Sequence, residues 1–250
     1  MPLRHELADG FTDLVLGSAC VGCGRPGRAL CASCREALPA HAGPRWPTPT
    51  PPGLLPPFAT GAYEGVLKAM VLAHKERRVL ALARPLGDQL AVAVAAALAA
   101  LAPDAGPVVL VPVPSRPAAV RQRGHDPTLA MARSAAARLR RAGRPTVVTV
   151  VLRVRPGVVD QAGLDAGRRS ANLAGSMAAP AAAVRRLAQR YPRAHVLLCD
   201  DVLTTGATLR EAQRALEASG VPVLAAATVA ATARRGPFGP SRKEVRPNFG

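Results

Sequence analysis

Apolar residues follow two different spacings along this chain, and the two spacings alternate. Uninterrupted apolar runs predict buried strands at residues 108–114, 146–152, 196–199 and 223–228. Stretches with apolar residues three or four positions apart predict helices at residues 65–74, 82–101, 127–142 and 208–219. This alternation predicts an α/β fold, a twisted and mostly parallel sheet flanked by helices, with its site at the carboxyl ends of the strands. The pattern also predicts an amphipathic helix within residues 3–15 and an edge strand at residues 58–63.

The strand at residues 196–199 ends in two adjacent carboxylates, Asp200 and Asp201, followed by a turn rich in hydroxyl groups. The hydroxyls belong to Thr204, Thr205 and Thr208, and Gly206 lets the backbone close around a ligand. Backbone N–H groups at the start of the next helix favour a phosphate. Because the carboxylates would repel that phosphate, we expect them to face sugar hydroxyls or a hydrated divalent cation. These features predict a site for a phosphorylated ribose, and a capped turn with exposed acids is the alternative.

A basic segment follows the predicted strand at residues 108–114. It contains Ser115, Arg116, Arg121 and Arg123. Guanidinium groups bind pyrophosphate through paired hydrogen bonds and neutralise its charge. We therefore expect an arginine-rich loop beside the acidic pair, with a solvated basic loop as the alternative.

A long polar insertion, residues 153–177, separates two of the predicted strands and carries Arg168 and Arg169. Loops of this length inside a compact domain are usually functional. We expect a lid that closes over the ligand, and disordered filler is the alternative.

Two Cys-x-x-Cys pairs lie near the start of the chain, with seven residues between them. The four thiols are those of Cys20, Cys23, Cys31 and Cys34. This spacing predicts a knuckle that holds one structural Zn²⁺, because disulfides are not expected in a cytoplasmic chain. Whether the knuckle also contacts a partner stays open. Cys199 lies in a predicted core strand, where we expect it to act as a small buried hydrophobe.

Composition divides the chain into four parts. Residues 1–38 hold the first helix and the knuckle, and residues 39–57 contain eight prolines and predict an extended linker. Residues 58–235 form the main domain, and residues 236–250 a flexible tail. The first two helices of the main domain look like a helical cover, on which we expect Lys68, His74 and Lys75 to be solvated surface groups.

Lys and Arg number 33 against 16 Asp and Glu, which gives a formal net charge of +17. Such a balance favours an anionic partner, either a phosphorylated metabolite or nucleic acid. Only three of the 33 are lysines, so codon bias is an alternative source of the charge. The first 16 residues lack the apolar core of a secretory signal, and the run at 91–102 is too short to span a bilayer. We therefore expect a cytoplasmic protein without membrane insertion.

Residues 196–208 resemble the thirteen-residue signature of type I phosphoribosyltransferases. That resemblance implies a type I phosphoribosyltransferase-like fold and binding of 5-phosphoribosyl 1-pyrophosphate (PRPP) together with Mg²⁺. The implied PRPP-binding residues are Asp200, Asp201, Leu203, Thr204, Thr205, Gly206, Ala207 and Thr208 in the signature, with Ser115, Arg116, Arg121 and Arg123 from the basic segment.

The chain as a whole, up to about residue 235, resembles the ComF family of competence-associated phosphoribosyltransferase-like proteins. The resemblance rests on the four cysteines, Val-Pro-Val-Pro followed by Arg-x-Arg-Gly, and Arg168-Arg169-x-x-Asn172 before the signature. It implies a role in natural competence, with internalised single-stranded DNA and DNA-uptake proteins as partners. One departure concerns the segment after Arg123-Gly124, where the family usually has Phe-Asn-Gln and this chain has His125-Asp126-Pro127.

Three hypotheses follow. In a phosphoribosyltransferase, Asp200 and Asp201 would hold ribose and Mg²⁺ while Arg168 and Arg169, with the basic segment, would draw off pyrophosphate. Its acceptor, nucleobase-like or an amine, is not identified by any residue pattern. In a regulatory protein the same site would sense PRPP. In an interaction protein the knuckle and basic surface would bind DNA or a partner, and the intact signature argues against this third hypothesis.

Overall fold

A computed structural model describes residues 19–102, 104, 106–155 and 175–232. The described strands are β1 (Gly43–Pro44), β2 (Pro57–Ala62), β3 (Val108–Pro112), β4 (Thr146–Val148), β5 (Arg153–Val154), β6 (Met177–Ala178), β7 (His195–Leu203) and β8 (Ala225–Ala231). The described helices are α1 (Ala32–Glu36), α2 (Gly65–Glu76), α3 (Ala83–Leu101), α4 (Pro117–Arg123), α5 (Pro127–Arg141), α6 (Ala181–Arg190) and α7 (Ala207–Glu217), with a 3-10 turn at Leu80–Leu82.

Six of these strands form one sheet in the order β1-β2-β8-β7-β3-β4. Every neighbouring pair is parallel except β1 and β2. The acidic strand β7 therefore lies in the centre, with the basic segment after β3 on one side and β8 on the other. Because parallel strands end at the same edge, the segments that follow β3 and β7 meet there, as the sequence predicts.

Side chains of the central strands alternate between two hydrophobic clusters, one on each face of the sheet. Leu110 and Leu197 join Met70, Leu86 and Met131 of helices α2, α3 and α5. On the opposite face, Val109 and Leu198 pack with Leu187, Leu209 and Leu216 of helices α6 and α7. Burial on both faces explains why these strands read as continuous apolar runs in the sequence. Cys199 is fully buried among them, as predicted.

Two local predictions are wrong. Residues 58–63 are predicted as an edge strand, but β2 lies between β8 and the two-residue strand β1, which the proline-rich segment supplies. The segment after β3 is predicted as a loop, yet Pro117–Arg123 forms helix α4, with proline in its first turn and Gly124 in the left-handed conformation at its end. Both residues favour helix boundaries at these positions.

The knuckle and the proline-rich segment both pack on the main domain. Cys20, Ala29 and Leu30 are buried in the same hydrophobic cluster as helix α2. Residues 39–57, expected to be an extended linker, contribute strand β1 and the buried side chains of Leu54 and Leu55. The side-chain carbonyl oxygen of Gln213 in α7 accepts a hydrogen bond from the Leu55 N–H at 3.0 Å. These contacts couple the cysteine cluster and the proline-rich segment to the core.

Residues 80–101 are long and apolar enough to cross a membrane, but over half of the apolar window is buried inside the fold. Helix α3, which makes up most of this segment, packs against the sheet and α5 as a core helix. The predicted helix at 3–15, Arg168, Arg169 and the tail at 236–250 lie outside the described residues. Strands β5 and β6 pair antiparallel where the insertion begins and ends.

Candidate functional site

A cleft of about 520 Å³ opens at the carboxyl ends of β3 and β7. Three of its walls come from the end of helix α2, from the β3–α4 segment and from the turn between β7 and α7. The predicted site residues that line it are Ser115, Arg116, Arg123, Asp200, Asp201, Thr204 and Thr208. The fold therefore brings acidic, basic and hydroxyl groups from separate stretches of sequence into one cavity.

The two carboxylates at the end of β7 differ in their surroundings. Asp201 is 6% exposed, and its Oδ1 accepts a hydrogen bond from the Val202 N–H at 2.9 Å. Asp200 Oδ1 accepts from the Asp201 N–H at 2.8 Å. Burial, followed by the negative charge of Asp201, raises the pKa of Asp200 well above its usual range. Two crowded carboxylates in a partly dry cleft are a suitable place for a cation or for hydroxyl donors.

Lys75 in helix α2 contacts this acidic pair directly. Its Nζ lies 2.7 Å from Oδ2 of Asp201, so the expectation of a solvated surface group is wrong. Burial acts to lower the pKa of Lys75, but the charge and hydrogen bond of Asp201 outweigh it and raise the pKa. The neighbouring His74, also expected at the surface, is buried, whereas Lys68 is exposed as expected.

The turn after β7 has a shape that only glycine fits. Gly206 adopts φ 76° immediately before helix α7, and a Cβ placed there would lie 2.9 Å from Leu54 Cδ2 and 3.1 Å from Pro47 Cγ. The turn is also tied to the end of β8, because the Thr232 N–H donates to the Leu203 carbonyl at 2.9 Å. Glycine adopts this left-handed conformation without strain, so the chain can reverse here and begin α7 with Thr208 at the cleft.

Not every residue of the predicted signature faces the cleft in the same way. Thr204 and Thr208 line it, and Thr205 is exposed, with its Oγ1 accepting from the Ala207 N–H at 3.4 Å. Leu203 and Ala207 are buried and support the turn from below. The contribution of these two residues to ligand binding would therefore come through the backbone.

Arg123, on the basic side of the cleft, pairs with Glu76 of helix α2. Its Nη2 donates to Oε1 and Oε2 of Glu76 at 2.9 and 3.3 Å. Arg116 lines the same cavity at the start of α4, while Arg121, on the same helix, is exposed and does not line it. The basic wall of the cleft thus consists of two arginines, and the third predicted arginine lies at the surface outside the cavity.

The unusual segment His125-Asp126-Pro127 shapes the end of this basic wall. Asp126 caps helix α5 by accepting a hydrogen bond from the Leu129 N–H at 3.1 Å, and Pro127 occupies the first turn. Ser115 Oγ donates to Asp126 Oδ1 at 3.4 Å, and a His125 ring nitrogen lies 3.1 Å from the His74 carbonyl oxygen. The segment therefore connects α2, the β3–α4 segment and α5 around the cleft.

The four cysteines lie together in the knuckle, away from the residues that line the cleft. Their sulfur atoms all fall within 4.8 Å of one another, and Cys23 Sγ and Cys31 Sγ are 3.6 Å apart. Four thiolates at about 2.3 Å from one Zn²⁺ would be about 3.8 Å from each other. Burial acts to raise the pKa of Cys20, but hydrogen bonds from backbone N–H groups, first that of Cys31, lower it to about 6. The cluster is positioned to bind a metal ion and is compatible with a zinc knuckle.

Residues 129–246 match the family described as phosphoribosyl transferase domain. The second half of the chain is therefore similar to a phosphoribosyl transferase domain. The matched residues include both aspartates and the whole turn of the candidate site, whereas Lys75, Ser115, Arg116 and Arg123 lie before them in the chain. No curated protein matches the chain.

Sequence reasoning missed Lys75 and Glu76 as site residues. Both belong to an Ala/Leu-rich helix that carries no motif, and they contact their partners across 126 and 47 positions of sequence respectively. A signal existed in the helical period, because residues 71 and 75 share the face that packs toward the sheet. Nothing local indicated which charge would meet them.

Proposed function

We propose that this chain is a PRPP-binding phosphoribosyltransferase-like protein of ComF type and that the cleft at the carboxyl ends of β3 and β7 holds PRPP with Mg²⁺. One observation carries the proposal. The paired carboxylate and the turn that opens α7 lie within the match to a phosphoribosyl transferase domain, and together with an arginine wall from earlier in the chain they line a single cavity of about 520 Å³. That volume falls within the range of ordinary small-molecule sites.

Each wall fits one part of the ligand. The turn at residues 204–208 offers hydroxyls and helix N–H groups for the 5-phosphate. Asp200 and Asp201 would accept hydrogen bonds from ribose hydroxyls and hold the cation, whose charge would offset that of the pyrophosphate when bound. Arg116 and Arg123 lie where they can bind the pyrophosphate.

If the chain is an enzyme, these groups favour departure of pyrophosphate from C1 of the ribose. Arginine side chains stabilise negative charge as it develops on the leaving group, and Asp200 and Asp201 stabilise positive charge developing on the ribose ring. The acceptor would be a nucleobase or an amine. A regulatory protein that senses PRPP would use the same contacts without this step.

A competence role with single-stranded DNA is the finer part of the proposal. Its support is the resemblance to ComF proteins and the exposed arginines near the cleft, such as Arg121.

The ion held by Cys20, Cys23, Cys31 and Cys34 would be Zn²⁺, because four thiolates close enough to surround one ion tetrahedrally suit that metal. We also propose a cytoplasmic location, because the four cysteines are free thiols, which a reducing compartment keeps available to a metal.

Ligand-induced stabilisation tests the PRPP assignment. With PRPP and Mg²⁺ at about 100 times the dissociation constant, the free energy of unfolding should rise by about 2.7 kcal/mol. Asp200→Asn should lose most of this gain. Asp88→Asn, which makes the same change in charge on helix α3 where Asp88 pairs with Arg138 at 3.7 Å, should keep it. Equal stabilisation of both variants would remove Asp200 from the site.

A further inference from the structure

Two consecutive residues at the end of helix α2 form ion pairs with opposite sides of the cleft. Lys75 Nζ lies 2.7 Å from Oδ2 of Asp201 on the acidic side. Glu76 accepts both hydrogen bonds from Nη2 of Arg123 on the basic side. One helix end therefore supplies a positive charge to the acids and a negative charge to the basic wall.

Each of these charges occupies a place that a bound ligand would need. A divalent cation binds carboxylate oxygens directly or through water, so it requires the lone pairs of Asp201 that the Lys75 ammonium now uses. A phosphate oxygen binds best to the planar N–H groups of a guanidinium, and Glu76 already uses one nitrogen of Arg123 in this way. The Lys75 ammonium thus occupies the place of a bound cation beside Asp201, and the Glu76 carboxylate occupies the place of a bound anion beside Arg123.

We propose that the end of helix α2 competes with the ligand for its own site, so that Lys75 and Glu76 determine which ligands the cleft accepts. The inference rests on the proposed function, because it identifies the competing charges as those of Mg²⁺ and pyrophosphate. A ligand that brings both charges can replace both ion pairs at once. A lone cation or a lone anion replaces one pair and leaves the other intact.

The two pairs differ in how strongly they should resist displacement. The side chain of Glu76 is 52% exposed, and such surface ion pairs contribute little because water screens them. Asp201 is 8% exposed at its side chain, so its pair with Lys75 lies in a drier environment where charges interact more strongly. We therefore expect a larger effect on cation binding from Lys75 than on anion binding from Glu76.

Calorimetric titrations with simple probes test the competition. Pyrophosphate with Mg²⁺ should bind about two- to fivefold more tightly to Glu76→Gln than to the parent protein. Its control is Asp88→Asn, which removes one negative charge at the Asp88–Arg138 pair and should not reproduce this gain. The side chains of Glu76 and Asp88 are 52% and 24% exposed, and the amides keep their volume, so both variants should fold.

The second probe is Mn²⁺ alone, measured with Lys75→Met. Removal of the ammonium should increase Mn²⁺ affinity about tenfold, since both the competitor and its repulsion are lost. Lys68→Met, an exposed lysine on the same helix, provides the control with the same change in charge. Mn²⁺ affinity equal in the two lysine variants, including no binding by either, would overturn the proposal. Pyrophosphate affinity equal in the two acid-to-amide variants would overturn it as well.

These probes also separate the inference from the proposed function. If both gains appear but PRPP does not bind to the parent protein, the competition stands and the PRPP assignment fails. If PRPP binds with Mg²⁺ but neither variant gains affinity for its probe, the PRPP assignment stands and the competition fails.

Discussion

Gly206→Ala should destabilise the protein and weaken its ligand site through the turn that joins β7 to α7. Gly206 has φ 76°, a conformation that costs a residue with a Cβ about 1–2 kcal/mol. The new methyl would also meet Leu54 Cδ2 at 2.9 Å and Pro47 Cγ at 3.1 Å. Forcing an extra carbon into packed surroundings costs about 1–3 kcal/mol. The two contributions together predict a loss of about 2–5 kcal/mol.

Gly220→Ala is a matched control, because Gly220 has φ 78° and a methyl group there would meet no neighbouring atom within 4 Å. This variant carries the backbone cost alone, about 1–2 kcal/mol. The difference between the two variants therefore measures the steric contribution at the turn. Unfolding in urea, with the slope of the transition checked for constancy, gives both free energies on one scale.

Ligand affinity provides a second readout of the same substitution. Relaxation of Leu54 or of the turn would displace the N–H groups of α7, so PRPP should bind at least about tenfold more weakly to Gly206→Ala, as expected when precise positioning is lost. Gly220→Ala should bind like the parent protein. Equal destabilisation by the two substitutions, together with equal PRPP affinity, would refute the packing and binding roles assigned to Gly206.

Three further predictions concern charge and metal. Burial and the charge of Asp201 raise the pKa of Asp200, so the folded state binds this proton more tightly than the unfolded chain does. The free energy of unfolding should therefore fall as pH rises above about 4, the usual pKa of an aspartate in an unfolded chain. In urea unfolding, Asp200→Asn should show a smaller fall with pH and a higher stability at neutral pH. Cys23→Ser or chelation should lower the stability of the whole described core by several kcal/mol, because the cysteine cluster packs on it, and metal analysis with thermal unfolding checks this. Arg121→Ala should weaken single-stranded DNA binding more than Arg140→Ala, since the Arg140 guanidinium already donates to the Thr146 carbonyl at 2.8 Å. Anisotropy titrations at two salt concentrations measure both affinities, and equal losses of DNA affinity in the two variants would contradict this prediction.

The central sheet could be predicted from sequence because its signals are local. The apolar runs around Leu110 and Leu197 are fully buried on both faces, so each strand is visible without knowledge of its neighbours. The acidic pair and the glycine turn are equally local, since residues 200–206 adjoin in sequence and in space. The cysteine spacing typical of zinc sites belongs to the same class of signal.

The features that sequence reasoning missed depend on distant contacts. The helical period of α2 places Lys75 on the same face as Val71, but it does not indicate that Lys75 meets Asp201, which lies 126 positions away in the sequence. Residues 39–57 look like a linker by composition, yet the buried Leu54 and Leu55 fix them to the domain through Gln213. Helix α4 could not be predicted from the spacing of apolar residues, because seven residues are too few for a helical period to be distinguished from a loop.

Isothermal titration calorimetry of the parent protein with PRPP, in the presence and absence of Mg²⁺, most directly tests whether the cleft binds PRPP. We expect one PRPP to bind per chain, the binding to require Mg²⁺, and the binding to be lost when Asp200 and Asp201 are both replaced by asparagine. The doubly substituted chain should remain folded, since asparagine keeps the side-chain volume while the crowded negative charges disappear. Equal PRPP affinity in the parent and the substituted protein, or binding indifferent to Mg²⁺, would contradict the assignment of this cleft.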